Sequence, residues 1–140
     1  MTAAEVEALL LSAVPARLAT VDSEGFPHVT PLWFVWVEDA FYMTSIIDRP
    51  HLRRLNADAH AGICIDVEEV ERDDGQRPNR QVRATGHVEL FPDHDGLWTA
   101  RITEKYVRGS SAITMRDSRV ADERIVIRLR PERLITVASV

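Results

Sequence analysis

Residues 23–55 read SEGFPHVTPLWFVWVEDAFYMTSIIDRPHLRRL, and how this stretch divides into strands decides the fold. Gly25 can take the positive φ of a tight turn, and PHVTPLWFVWV after it is predicted as one long strand that begins at a proline. VEDA turns the chain again, and FYMTSI is a further strand. In the long strand His28, Thr30, Leu32, Phe34 and Trp36 share one face, while Val29, Pro31, Trp33 and Val35 share the other. Both faces are largely apolar, so the strand is expected to be covered on each side. Trp33 and Trp36 are then either core residues or walls of a ligand cleft. Pro31 has no N–H to give to a ladder and marks an edge, a bulge or a kink, where backbone groups are free to address a ligand.

Working outward, RLATVD upstream is a strand, and with the two just described it forms an expected antiparallel meander. Ahead of it, Thr2 and Glu5 have capping-box spacing, and Val6, Leu9, Leu10 and Ala13 make the apolar face of a short helix before Pro15. Downstream, DRPHLRRLNAD is predicted as a helix capped by Asp48 with Pro50 in its first turn. HAGICIDV is a strand with Ile63 and Ile65 on one face and Cys64 on the other. Residues 68–79 form an exposed loop, and RQVRATGHVELF is a strand ended by Pro92. Asp93 is placed to cap a helix through about Val107, with Trp98, Ile102 and Tyr106 as its apolar stripe and Gly109 as its stop. SSAITMRDSRVAD stays unassigned, as a loop with one helical turn. ERIVIRLR and RLITVASV are the last strands. Six or seven strands with helices as side connections predict a mainly β fold: a single domain, residues 1–140, built as a small antiparallel barrel capped by helices.

The 140 residues carry a formal net charge of −5, with 45% apolar and 28% charged residues, which is ordinary for a globular protein. A net negative chain is not expected to bind nucleic acid in general. Cys64 is the one cysteine, so no internal disulfide forms; flanked by isoleucines, it is expected to be a small buried hydrophobe. The N-terminal segment lacks a basic leader and its apolar part is too short to span a bilayer, so a cytoplasmic chain without membrane contact is expected.

Several chemistries have no residues to carry them. There is no G-x-G-x-x-G, no phosphate loop and no G-x-S-x-G elbow. The five histidines, at 28, 51, 60, 87 and 94, fall at no paired ligand spacing, so no metal site is expected. What remains is chemistry carried by a bound cofactor, for which the protein needs a cleft, backbone donors and an anion clamp. Thr44 and Ser45 end a strand, and Arg49, His51, Arg53 and Arg54 follow within a few residues, a corner suited to a phosphate. Helical spacing puts Arg49 and Arg53 on one face as candidate ligands and turns Arg54 toward solvent. The alternative is that these arginines only balance the acidic run DVEEVERDD at 66–74.

Taken in succession, RLATVDSEGFPHVTPLWFVW, AFYMTS, RPHLRRLNADAHAGICIDV and VRATGHVEL resemble the split-barrel flavin-binding proteins related to pyridoxamine 5′-phosphate oxidase, including their deazaflavin-using branch. The resemblance implies a six-stranded split barrel, a homodimer and two equivalent cofactor sites at the subunit interface. It implies Thr30, Pro31, Leu32 and Trp33 beside the flavin ring, and Thr44, Ser45, His51 and Arg53 near the ribityl phosphate. Asn79, Gln81 and Arg83 would approach from the other subunit. The family often has lysine where His51 stands and asparagine where Arg54 stands, a departure in the phosphate grip. Vitamin B6 oxidation itself is not expected, because the chain lacks a basic C-terminal segment for the substrate phosphate.

The function this implies is an oxidoreductase that uses FMN, or alternatively the deazaflavin coenzyme F-420, to pass hydride to or from a small organic substrate. FMN has a short phosphate tail, whereas the deazaflavin tail is long and acidic and would call on further basic groups such as Arg80 or Arg83. The alternatives are a non-catalytic module that binds flavin, or haem through His28, His60 or His87, and a barrel that acts through dimer contacts alone. No catalytic acid or base stands out in the sequence.

Overall fold

The computed structural model of the chain describes residues 1–139. Helix α1 (Ala3–Leu11) starts with the expected capping box: the Thr2 hydroxyl accepts from the Glu5 N–H and the Glu5 carboxylate from the Thr2 N–H. The strands are β1 (Ala16–Val21), β2 (Pro27–Leu32), β3 (Val35–Val37), β4 (Ala40–Ile46), β5 (His60–Glu68), β6 (Asn79–Pro92), β7 (Arg124–Leu129) and β8 (Arg133–Ser139). Between them lie α2 (Pro50–Ala57), α3 (Leu97–Tyr106) and α4 (Ala112–Val120). No helix among the described residues is long and apolar enough to cross a membrane.

The expected long strand is broken. Residues 33 and 34 belong to no strand: β2 pairs only with β1, β3 pairs only with β4, and the two stand at opposite ends of the order β2-β1-β5-β6-β7-β4-β3. The meander expected from sequence is therefore two hairpins joined by a crossing, and β2 is an exposed edge, not a strand covered on both faces. An edge strand has a row of N–H groups outside the ladder, so Pro31 is accommodated there. The β3–β4 turn is a tight two-residue loop with Glu38 and Asp39 both at positive φ, the backbone twist that hairpins favour.

All the strand pairings are antiparallel. β6 is the spine: residues 79–85 lie between β5 and β8, and residues 88–92 pair with β7. It carries the chain from one half-sheet to the other, which gives a mainly β split barrel of eight strands, more than the six or seven expected. The interior is filled by Leu18, Phe34, Phe41, Met43, Ile65, Val82, Ile127 and Leu129, all essentially inaccessible to solvent. Ile63 and Ile65 point inward as expected, and Cys64 is half-buried on the opposite face.

Two helix assignments need correction. The cap of α2 is Arg49, not Asp48, because Pro50 at the first helical position holds the preceding residue extended, at φ −73° and ψ 147°. Asp48 instead takes the left-handed region. The unassigned segment at 110–122 contains α4, a full helix whose Ile113 and Met115 remain exposed. Its apolar residues are too few to mark a face in the sequence; packing against α3 supports it. Asp93 does cap α3, at one remove: a single 3₁₀ turn intervenes, and its carboxylate accepts from the N–H groups of Trp98 and Thr99 at 3.0 Å each.

Gly96 sits where α3 meets α4. Its φ is +65°, and a Cβ there would lie 2.4 Å from Cγ1 of Val120. Gly96→Ala is expected to destabilise the fold by about 1–3 kcal/mol, from backbone strain and displacement of α4 together. Chemical denaturation measures it, and a variant as stable as the parent would show that α4 yields freely.

Candidate functional site

The crossing at residues 33–34 is held by side chains from α3. The Tyr106 hydroxyl donates to the Val14 carbonyl at 2.9 Å and accepts from the Phe34 N–H at 3.3 Å. Lys105 Nζ donates to the carbonyls of Leu10 and Phe34, both at 3.0 Å, and lies 3.7 Å from the centroid of the Phe34 ring. Burial lowers the Lys105 pKa to about 8 and raises that of Tyr106 to about 12. At neutral pH Lys105 is thus mostly charged, the form that the two carbonyls and the ring face stabilise. Trp33, just before the pinned residue, is clasped on two sides. Its ring stacks on Tyr106 with centroids 4.9 Å apart and planes 2° from parallel, and the Arg119 guanidinium lies 4.7 Å from its centroid. Trp36, by contrast, packs on Phe41 at the core.

Beside Trp33 lies an open cavity of about 470 Å³, within the size range of small-molecule sites. Three parts of the chain build it: Pro31, Leu32 and Trp33 at the end of β2; Thr44, Ser45 and Ile46 at the end of β4, with Arg49 and His51; and Arg119 and Arg124, which flank the turn from α4 into β7. Seven of the residues expected from sequence thus meet here: Pro31, Leu32, Trp33, Thr44, Ser45, Arg49 and His51. Thr30 lies on β2 but does not line the cavity.

The arginine pattern differs from expectation. Arg53 is exposed, donates to the Asp48 carbonyl at 2.6 Å and lines two other hollows, not this one. Arg54, expected in solvent, is half-buried and donates from Nε to the Thr20 hydroxyl at 2.7 Å. Four-residue spacing put Arg49 and Arg53 together, but Arg49 is the cap and not part of the helix, so the spacing does not apply. Arg119 and Arg124 were not foreseen. Arg119 falls in the unassigned segment, and Arg124 opens a strand in which charged residues alternate unremarkably.

Electrostatically the cavity is cationic. None of its lining residues is acidic, and three guanidinium groups converge on it. Burial, then the charge of Arg124, lowers the pKa of Arg119; burial lowers that of Arg124, with Asp122 and Asp93 opposing and Arg49 adding to the effect. The nearest carboxylate contact of Arg124 is loose, 3.9 Å to Asp122. An anion placed among these groups would offset their mutual repulsion.

His51 is buried, with Nε2 2.8 Å from Ser45 Oγ, and the Ser45 hydroxyl donates to the Ile46 carbonyl at 3.2 Å. That hydroxyl has one proton, so His51 Nε2–H is the donor to it. Burial first, then the charges of Arg54 and Arg49, lowers the His51 pKa. The residue is accordingly a neutral positioner of Ser45, not an added cation. The Thr44 hydroxyl is 2.9 Å from that of Thr99, which lies 2.6 Å from Asp93 Oδ2, so the cap of α3 is tied to the cavity wall.

Asn79, Gln81 and Arg83 are elsewhere on the same chain. They share one face of β6, where Arg83 is in register with Cys64 on β5 and Ile135 on β8. Arg17 opposes both Cys64 and Pro31, so a single row across the outer sheet face joins the cavity wall at Pro31 to Arg83. His28, His60 and His87 all lie outside the cavity, each against a carboxylate: Asp22, Asp58 and Glu132. Among the described residues no three His, Cys, Asp or Glu side chains gather around one point.

A sequence profile described as Pyridoxamine 5'-phosphate oxidase matches residues 2–138. No curated protein matches the chain. Among solved structures, an F420 reductase shares 24% identity, covers 92% of this chain and 94% of its own, and superposes with a TM-score of 0.69. A FAD-binding protein from Mesorhizobium loti shares 17%, with coverage of 100% and 96% and a TM-score of 0.69. The heme storage protein HutZ from Vibrio cholerae shares 20%, with coverage of 95% and 92% and a TM-score of 0.70. At these identities the likeness is one of fold.

The depressed pKa of His51 sets a pH window. The unfolded chain takes up a proton near the ordinary histidine value of about 6.5, while the folded chain resists until lower pH. Stability is therefore expected to fall as pH drops below about 6.5 and on toward the folded value. His51→Gln should flatten the profile there, as read by urea denaturation at successive pH values; an unchanged slope would show that His51 is not the group responsible.

Proposed function

Because the chain belongs to the pyridoxamine 5′-phosphate oxidase family, we propose that it binds a phosphorylated flavin and acts as an oxidoreductase on a small organic substrate. The observation that carries this is the convergence of Arg49, Arg119 and Arg124 on a cavity without acidic lining, beside the strand end Pro31–Leu32–Trp33. When bound, a flavin or deazaflavin ring supplies the hydride acceptor or donor. The protein's share is position and charge. The guanidinium forks hold the phosphate, Ser45 is oriented by His51, and the edge of β2 presents apolar side chains and free backbone groups to the ring.

FMN is preferred to the deazaflavin coenzyme F-420. A long acidic tail would call on Arg80 or Arg83, and of these Arg80 is already 2.9 Å from Glu69 and 3.9 Å from Glu5. A non-catalytic flavin carrier is the second proposal, favoured by one feature: the cavity lining holds no carboxylate, and its histidine, His51, is already bonded to Ser45. Haem is less well served, since the three histidines named for it are all engaged outside the cavity.

A homodimer completes the proposal. The row from Pro31 to Arg83 has half-buried apolar members, Cys64 and Ile135, and Val29 beside it is 64% exposed. Across that face Asn79, Gln81 and Arg83 of one chain would close the cavity of the other.

Freshly purified protein is expected to show flavin absorbance or to acquire it on titration with FMN. Arg124→Ala should weaken FMN binding about 10- to 100-fold, as loss of a charge-assisted hydrogen bond does, and riboflavin binding hardly at all. Arg53→Ala should leave both unchanged. Equal losses for FMN and riboflavin in Arg124→Ala would remove the phosphate from this corner. Turnover with reduced FMN or reduced F-420 then separates enzyme from carrier.

Val29→Glu places a charge on the outer face and is expected to shift the protein toward monomer in light scattering while weakening FMN binding. A monomeric parent protein would overturn the shared site.

A further inference from the structure

Away from the cavity, His60 on β5 and His87 on β6 stand directly opposite each other. The preceding pair, Ala59 and Val88, exchanges a backbone bond of 2.9 Å from the Val88 N–H to the Ala59 carbonyl. His60 and His87 therefore occupy the alternate, non-hydrogen-bonded kind of site, where opposed side chains approach most closely. Their ring centroids are 4.2 Å apart with planes inclined at 53°. Both side chains are exposed, 69% for His60 and 52% for His87. The rings flank a hollow floored by Ala19, Val21, Ala61 and Gly62.

Each imidazole is held by its own carboxylate at the same ring atom. His60 Nδ1 is 2.6 Å from Asp58 Oδ1, and His87 Nδ1 is 2.8 Å from Glu132 Oε1. Asp58 also accepts from the His60 backbone N–H at 3.0 Å. That backbone bond, and then the bond to the His60 ring, lowers the Asp58 pKa and keeps it ionised. A carboxylate at Nδ1 fixes the proton there and leaves the Nε2 lone pair outward, which is how metal-binding imidazoles are oriented in proteins. Here the arrangement occurs twice, on facing residues, with no further hydrogen bond to either Nε2 among the described residues.

We propose that His60 and His87 form a two-nitrogen chelate for a divalent transition-metal ion of the Ni²⁺ or Cu²⁺ type, with Asp58 and Glu132 as the carboxylates that orient the two rings. Two imidazoles bound at right angles to one ion, each about 2 Å away, have centroids about 4.5 Å apart, close to the 4.2 Å found here. Right-angled nitrogen ligands suit square-planar and tetragonal ions better than tetrahedral zinc. No third protein ligand is at hand among the described residues, so water or an exogenous donor takes the remaining positions. The histidines are 27 residues apart in sequence (87 − 60 = 27), which no local ligand spacing reveals; the strand register alone brings them together.

The test uses tag-free protein titrated with NiCl₂ or CuCl₂ by calorimetry. Saturable binding is expected, with His60→Ala and His87→Ala each weakening it at least tenfold and leaving the circular dichroism unchanged, since both side chains are exposed. Asp58→Asn should weaken it about 10- to 100-fold, the usual effect of losing an orienting carboxylate. His28→Ala, which removes an exposed histidine likewise paired with an aspartate, should change nothing. With Cu²⁺, electron paramagnetic resonance should show coupling to two imidazole nitrogens. Absence of saturable binding, binding that survives loss of either His60 or His87, or an equal loss in His28→Ala would overturn the site.

Discussion

Everything near the cavity depends on the crossing at Trp33 and Phe34. A strand that ran unbroken from residue 27 to residue 37 would keep β3 beside β2 and leave no cleft between the hairpins. Phe34 is driven into the core, where its ring lies 5.6 Å from that of Phe41, and this commits the chain to the second half-sheet. The backbone groups released by the break still need partners, and α3 supplies them through the Tyr106 hydroxyl and Lys105. A buried carbonyl or N–H left alone would cost about 1–3 kcal/mol, so the crossing and the helix that satisfies it are one unit. Trp33 takes its place from that unit, between Tyr106 and Arg119.

The cationic character of the cavity follows from the same packing. α4 lies against α3, and the turn after it delivers Arg119 and Arg124 to the side of the cleft facing Arg49. Gathering three guanidinium groups with few carboxylates nearby opposes folding, and partial burial makes the opposition stronger. Elsewhere several arginines face carboxylates at the surface, as Arg17 does Asp66, Arg77 Glu71 and Arg128 Glu89. Exposed pairs of that kind contribute little to stability. At the cavity three guanidinium groups meet with no acidic residue in the lining.

The outer face of the β1–β5–β6–β8 half-sheet carries two separate features, on rows separated by the row of Ala19, Gly62 and Thr85. One row links Pro31 to Arg83; another holds the His60–His87 pair at its margin. Both arise from the strict alternation of strand side chains, which fills the interior with Leu18, Ile63, Ile65 and Val82 and leaves the intervening positions free for other chemistry.

The sequence by itself determined the elements governed by nearest neighbours. The Thr2–Glu5 cap, the turn at Gly25, the inward Ile63 and Ile65, and the mainly β character all follow from local chemistry and a period of two or 3.6. The succession of segments also resembled the family, and with it came six of the residues that line the cavity; the seventh, Arg49, was picked from the arginine cluster itself. Tertiary structure decided what local rules could not reach. Apolar residues on both faces of 27–37 concealed the break, because a crossing between half-sheets and a fully covered strand present the same composition. The choice of Arg49, Arg119 and Arg124 over Arg53 depended on a proline-set cap and on a helix with too weak an apolar face to be recognised alone. The pairing of His60 with His87 depended on register, which long-range contacts fix and sequence spacing does not encode.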